Sequence, residues 1–369
     1  MKKNLLILLF IFFIISSCNC NLFEDDDFNN TPLDISDYAL YGMLQTEGEF
    51  YMTVIDMERD SIIGYQQITR EYEFVLSFCL GTDNMIYIPM YYAHFDWDVG
   101  NEIRIFDPKE GRITGAIKTE YFPVSISLLP DNKAFLFHYF VKTGDTAMTN
   151  SIIDLGGKVV IKKIISYLGN VIDREIFQDF NDDFWVFSNS PVSDDTYIIK
   201  YLTSTDTLGE RVLLDNDFNG RQFDPSSAIF VSETKLYTQD YPQKGIVVYD
   251  FPSGKITDFI ELSSGPDDIV LLPNNKVYVS HADYSCTEGT DNYIKVIDTN
   301  TDAVIKTIEV CKGPAYMIYS KAMNKVYVGS IHENAIAVID PNTDTLIKII
   351  TGEAKGSVEN KYCRLLTNK

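Results

Sequence analysis

The chain has 369 residues and a formal net charge of −22, with 53 acidic against 31 basic side chains. So acidic a surface repels phosphate backbones, which argues against nucleic acid as a partner, and it attracts cationic groups and divalent ions. The 23 tyrosines and 23 phenylalanines belong to the aromatic-rich strands of an all-β protein.

The N-terminus reads as an address rather than as structure. Lys2 and Lys3 precede an apolar run from Leu5 to Ile15 that is too short for an ordinary membrane span. The run ends Ile15-Ser16-Ser17-Cys18, which resembles the lipobox of bacterial lipoproteins. That resemblance implies a signal peptide over residues 1–17 and lipidation of Cys18, with more than one acyl chain and so stable membrane attachment. Residues 18–36 are polar, include Glu24-Asp25-Asp26-Asp27 and show no periodicity, as expected of a flexible tether. The acidic run also resembles the surface-export signals of some Bacteroidetes-type lipoproteins. A cell-envelope protein anchored to the outer membrane is therefore expected, on either its periplasmic or its surface side.

Residues 37–369 carry no Pro- or Ser-rich linker and read as one domain. An aspartate closes a short β-branched strand at Asp56, Asp107, Asp154, Asp250, Asp298 and Asp340; in five of these units Asp60, Gly111, Gly254, Asp302 or Asp344 follows four residues later. Gly and Asp tolerate the dihedrals of a tight hairpin, so these positions read as turn chemistry rather than catalysis. The unit around Tyr197-Ile198-Ile199-Lys200-Tyr201 lacks the aspartate and is the least regular. Inner strands are predicted at Val124 to Leu129 and Asp268 to Leu272. The pattern is plainest at the end of the chain. Lys276-Val277-Tyr278-Val279, Ile294 to Asp298 and Ala303 to Ile308 are restated as Lys325-Val326-Tyr327-Val328, Ile336 to Asp340 and Thr345 to Ile350. A repeat with a period in the forties, built from short strands, is the mark of a propeller blade. The last segment, Cys363 to Lys369, reads as an inner strand without outer strands, while the first unit, near Tyr38, has outer strands and no inner one. Joined, they make a seven-bladed β-propeller whose C-terminal strand completes the first blade, which hides an open edge.

The units 276–324 and 325–352 resemble the YVTN-repeat β-propellers, extracytoplasmic and surface-layer proteins related in fold to quinoprotein and lactonase-type propellers. The resemblance implies seven blades and an extracytoplasmic setting, and brings no shared catalytic motif.

The second-to-third-strand loops, together with the connections between blades, share one face. His94, His138, His281 and His332 all fall there, with offsets from their strand starts that read as different. Two loops mix histidine, acid and aromatic residues: His94, Asp96, Trp97 and Asp98 in the second blade, and His281, Asp283 and Tyr284 in the sixth. With His332 they are the candidate ligand-binding residues, for a sugar, a peptide or a cation. Cys286 and Cys311 are expected on that face of one blade and are a candidate disulfide in an oxidising envelope. No G-x-S-x-G, HExxH, P-loop or CxxC motif is present, and no catalytic residue, metal or cofactor is identified. The expected function is a monomeric, lipid-anchored, non-enzymatic scaffold that binds a protein or carbohydrate. The alternative is a metal- or cofactor-dependent enzyme of the lactonase or quinoprotein-like type.

Overall fold

A computed structural model describes residues 38–46, 49–69, 73–92, 101–120, 122–139, 148–166, 176–189, 195–281, 291–352 and 361–367. Every regular element among them is a β-strand; apart from a short hairpin, Asp217–Phe218 with Arg221–Gln222, the strands form seven antiparallel blades in a ring. The predicted lipobox and tether lie outside the described residues.

Blade 1 is made from both ends of the described chain. Its strand order runs Ser61–Gln67, Glu49–Asp56, Ala39–Thr46, Lys361–Thr367, and Leu40 pairs with Thr367 while Gln45 pairs with Lys361. The expected closure is therefore the observed one. Blades 3 to 7 are simple four-strand meanders starting at Phe122, Ile176, Ala228, Ile269 and Pro314. Blade 2 departs from this plan. Its inner strand is broken into Glu73–Phe74 and Cys79–Leu80, both paired with Ile86–Tyr92.

The core is a set of slabs between neighbouring blades, which explains why the middle strands are apolar throughout instead of alternating. Ala335–Asp340 is buried at its first five positions, as a strand covered on both faces must be. Successive side chains serve opposite neighbours: Val277 and Val279 pack with Tyr237 and Ile246 of blade 5, while Tyr278 packs with Val326 and Ala337 of blade 7. The slab between blades 7 and 1 joins Tyr327 and Val338 to Leu40, Ile55 and Leu365.

All six predicted aspartates end third strands, and the irregular unit ends in Leu202. Four residues then separate third from fourth strand in every blade, as between Asp298 and Ala303. The last of the four has a positive φ throughout: Asp60, Gly111, Lys158, Asp206, Gly254, Asp302 and Asp344. The strand-closing aspartate builds the turn itself; Asp56 Oδ1 accepts the amides of Glu58 (2.8 Å) and Arg59 (3.0 Å). The aspartate four residues on does something that sequence spacing did not disclose. Asp344 of blade 7 accepts Lys276 Nζ at 2.6 Å and Tyr278 Oη at 2.7 Å, both from blade 6. Lys235 and Tyr237 of blade 5 bind Asp302 in the same way, and Lys325 and Tyr327 of blade 7 bind Asp60. At these three seams the Lys-x-Tyr repeat is thus a clasp from one blade to the next. Between blades 3 and 4 the clasp is mixed: Lys133 reaches across at 2.9 Å, but the phenol comes from Tyr201 of blade 4 itself. Burial first, and then the adjoining aspartate, raise the phenol pKa of Tyr201, Tyr237, Tyr278 and Tyr327, so the hydroxyls stay protonated donors.

Candidate functional site

Strand direction puts the clasps on one face of the ring, here the turn face. The second-to-third-strand loops and the connections between blades lie on the other, the loop face. The two faces are built differently. On the turn face every third-to-fourth hairpin has four residues. On the loop face the second-to-third connection has two residues after Thr46, nine after Tyr92, four after Asp240 and twelve after Ser280. Uniform turns keep a ring regular, while variable loops on a rigid scaffold are where binding residues concentrate.

Of the sequence-predicted site residues, His94, Asp96, Trp97, Asp98, Asp283 and Tyr284 lie outside the described residues, as does Cys286. His281 and His332 are both placed on the loop face, next to the ends of the second strands of blades 6 and 7. The histidine offsets need correction. His138 and His281 each stand five residues after the lysine that begins their second strand, Lys133 and Lys276, so they are equivalent positions in blades 3 and 6. Their surroundings differ. His138 Nε2 lies 2.9 Å from Ser151 Oγ within its own blade.

His281 is fully buried, with Nδ1 3.3 Å from the Gly265 carbonyl. Its ring packs on Tyr293 at 5.2 Å between centroids, and its Nε2 is buried without a hydrogen-bond partner. Desolvation lowers its pKa from 6.5 to about 4, against the opposing pull of the Gly265 carbonyl and Asp291, so the ring is neutral at pH 7. With the Nδ1 proton directed to Gly265, the Nε2 lone pair is free to accept. Gly265 carries the exposed ring of Tyr241, 48% accessible, whose Cδ2 stands 2.5 Å from where a Cβ at 265 would be. Tyr293 Oη is hydrogen-bonded to Ser263 Oγ (2.7 Å) and Ser264 Oγ (2.9 Å), and Lys295 Nζ lies 4.6 Å from its ring centre. The sector between blades 5 and 6 therefore offers an exposed aromatic face beside a row of hydroxyls, over a neutral imidazole.

Toward blade 7 the same sector continues through Asp291, whose carbonyl accepts Gly313 N–H at 2.9 Å, to His332. The His332 ring leaves no room for a Cβ at Gly313. Nearer the channel, Asp268 Oδ2 accepts Met317 N–H at 2.6 Å and ties blade 6 to blade 7. Cys311 is a buried thiol, its pKa pushed up to about 12, mainly by burial. Among the described residues no group of three His, Cys, Asp or Glu side chains is placed to hold a metal ion. No helix among them is long and apolar enough to cross a membrane.

No family model matches the chain, and no curated protein matches it. Solved structures do. Hydrazine synthase of Kuenenia stuttgartiensis is 13% identical with a TM-score of 0.55, over 77% of this chain and 88% of that one. The dihydro-heme d1 dehydrogenase NirN, in complex with DHE, is 14% identical with a TM-score of 0.55, over 91% of this chain and 67% of that one. At such identities the likeness establishes the fold alone. The fold is a seven-bladed β-propeller.

Proposed function

We propose that this chain is a lipid-anchored envelope propeller of the YVTN type that binds a protein or carbohydrate through its loop face, without chemistry of its own. The observation that carries the reading is the contrast between the faces: turns of uniform length on one, and connections of variable length on the other, where Tyr241 is exposed near Ser263, Ser264 and Tyr293. Exposed tyrosine with neighbouring hydroxyls is an amphipathic contact surface. Attachment through Cys18 rests on the lysine-flanked apolar run and on Ile15-Ser16-Ser17-Cys18. Pairing of the Cys311 thiol, free in this structure, with Cys286 on oxidation is part of the proposal, tested by thiol titration of the denatured, unreduced protein.

The test is a glycan and peptide array probed with the full-length protein, with Tyr241→Ala, and with Lys325→Met as a turn-face control. Binding that is lost with the first substitution and kept with the second supports the loop face. Equal binding by all three would overturn it. Incorporation of labelled palmitate by the wild type but not by Cys18→Ala tests the anchor. The metal- or cofactor-dependent reading is favoured by one observation, the free Nε2 of a neutral His281. A melting temperature that rises with one divalent ion after chelation would favour it, since a ligand stabilises only the state that binds it.

A further inference from the structure

The fourth strands of blades 6 and 7 are exposed on both of their faces. Ala303–Glu309 and Thr345–Thr351 share one burial pattern, exposed over the first five positions and at the last, with only the sixth buried. A half-covered strand alternates instead, as Arg112–Lys118 of blade 2 does over its first five positions. No other fourth strand among the described residues is exposed at five positions in a row. The exposed groups are apolar where a solvated edge ordinarily carries charge: Val304, Leu346 and Ile349 are more than a third exposed, Ile305 is 51% and Ile347 50% accessible. The two strands lie side by side on the rim of the ring. Lys306 Nζ donates to the Thr343 carbonyl of blade 7 at 2.8 Å, and Lys348 Nζ, at the equivalent position, donates to the Asp60 carbonyl of blade 1 at 2.9 Å. Within the two exposed stretches, 303–307 and 345–349, there is no acidic residue, in a chain of net charge −22.

We infer that this rim rests on the lipid bilayer to which Cys18 ties the chain, at the depth of the headgroups, so that the ring stands on its edge and leaves its loop face open to partners. The inference rests on the anchor proposed above and names the surface that the anchor brings into contact. The place where the chain enters the fold carries it. The described chain begins at Tyr38, which packs on the slab between blades 7 and 1 together with Ile350, the one buried position of the blade 7 fourth strand. From Cys18 to Tyr38 the chain reaches at most about 70 Å when fully extended and about 25 Å as a flexible coil. The part of the ring nearest that seam therefore meets the bilayer first. Charge selects the same part, because an anionic leaflet repels acidic regions and these two stretches carry lysine without acid. Apolar side chains at an interface settle into the boundary between headgroups and acyl chains. The outer edges of both strands are unpaired in their sheets, which limits the depth: water reaches free N–H and C=O groups among headgroups and is absent from hydrocarbon. A second copy paired edge to edge would also cover the rim, but full-length antiparallel pairing of Thr345–Thr351 with itself sets Lys348 against Lys348, like charge opposite like.

The experiment reconstitutes the full-length lipidated protein into vesicles of phosphatidylethanolamine and phosphatidylglycerol, with and without bromine on the acyl chains, and follows a tryptophan introduced on the rim. Ile347→Trp and Ile305→Trp probe the proposed contact. Thr114→Trp, at the equivalent third position of the blade 2 fourth strand, probes another part of the rim. Emission of the wild type, from Trp97 and Trp185, is subtracted, and each variant is melted in detergent to check its fold. Brominated lipid is expected to quench the added emission at least twofold in both isoleucine variants and to leave that of Thr114→Trp unchanged. No quenching in either isoleucine variant, while the protein floats with the vesicles, overturns the inference and leaves the anchor standing. Equal quenching at all three positions also overturns it, since no edge is then preferred. A rim tryptophan that is shifted to the blue but not quenched, with a dimer on crosslinking, gives the strands to a second copy and overturns it as well. Protein that neither floats nor incorporates palmitate fails the anchor reading, and this inference falls with it.

Discussion

The seam between blades 6 and 7 and the seam between blades 2 and 3 solve the same packing problem with different chemistry. At the first, Lys276 and Tyr278 grip Asp344. At the second, the corresponding positions hold Met85 and Lys158, and Tyr87 Oη instead reaches the Leu155 carbonyl (2.9 Å) and Asp83 of its own blade (2.8 Å). The other seams sort in the same way. Where the hairpin residue is Asp, a lysine of the preceding blade meets it; where it is Gly111 or Gly254, the preceding blade offers Ala39 or Asp183. The lysine and the aspartate of the clasp are therefore kept or lost together. A half-buried lysine without its aspartate, or the reverse, would be an uncompensated charge, whereas losing both leaves the apolar slab to hold the seam, as the packing of Tyr87, Ile105, Ala134 and Leu136 does between blades 2 and 3.

The widest break in this comparison comes at the seam that closes the ring. Deleting residues 361–367 strips the inner strand from blade 1, uncovers Ala39–Thr46 and removes the buried Leu365. Urea unfolding is expected to show a loss of more than about 4 kcal/mol, the range reached when a core element is removed. Next comes acid. The folded pKa of His281, about 4, lies below its free value of 6.5, so its contribution is whole above pH 6.5 and is lost as pH falls toward 4. The groups acting on it are Asp291 and the Gly265 and Ser264 backbone, which favour its charged form, and Lys295, which opposes it. Burial outweighs the first set. Roughly 3 kcal/mol should disappear across that window, with His281→Phe flattening that part of the profile. Unfolding curves of the two proteins at pH 7, 5.5 and 4.5 check the sign.

Clasp substitutions sharpen the comparison further. Asp344→Gly alone leaves Lys276 and Tyr278 without their acceptor and should cost about 2 kcal/mol. Adding Lys276→Met, which rebuilds at this seam the lysine-free arrangement found between blades 2 and 3, should recover part of that loss. A double-mutant cycle measures the coupling, and strict additivity would show that the seams do not exchange their charges as a unit. The smallest effect belongs to the loop face. Tyr241→Ala removes an exposed ring and should change stability by no more than about 0.5 kcal/mol, a difference that paired melts resolve.

How much of this could be read in the sequence follows from how far apart the cooperating residues lie. Strands, turns and the closing strand were legible because hydrophobic runs, Asp-x-x-x-Asp spacing and the restated Lys-x-Tyr segment are local signals. The clasp was only half legible. Lys276 and Asp344 were visible as repeated residues, but their partnership spans a whole blade and no short spacing announces it. Asp206 carries no such signal, because the third strand of its blade ends in Leu202 and not in an aspartate. At the candidate site, His281 could be placed on the loop face, and its equivalence with His138 could have been found by counting from the two lysines. Its burial depends on what the neighbouring blade packs against it, which one strand's sequence does not encode.

Pairing the strand that begins at Ala39 with the one that ends at Thr367 also sets the order in which the molecule can be made. Contacts so distant along the chain form late, since a loop of that length must be ordered before any bond repays it. During synthesis from the N-terminus, blades 2 to 7 can stack as an open arc while Ala39–Thr46 waits with one free edge. The circle becomes a circle only when its last strand arrives.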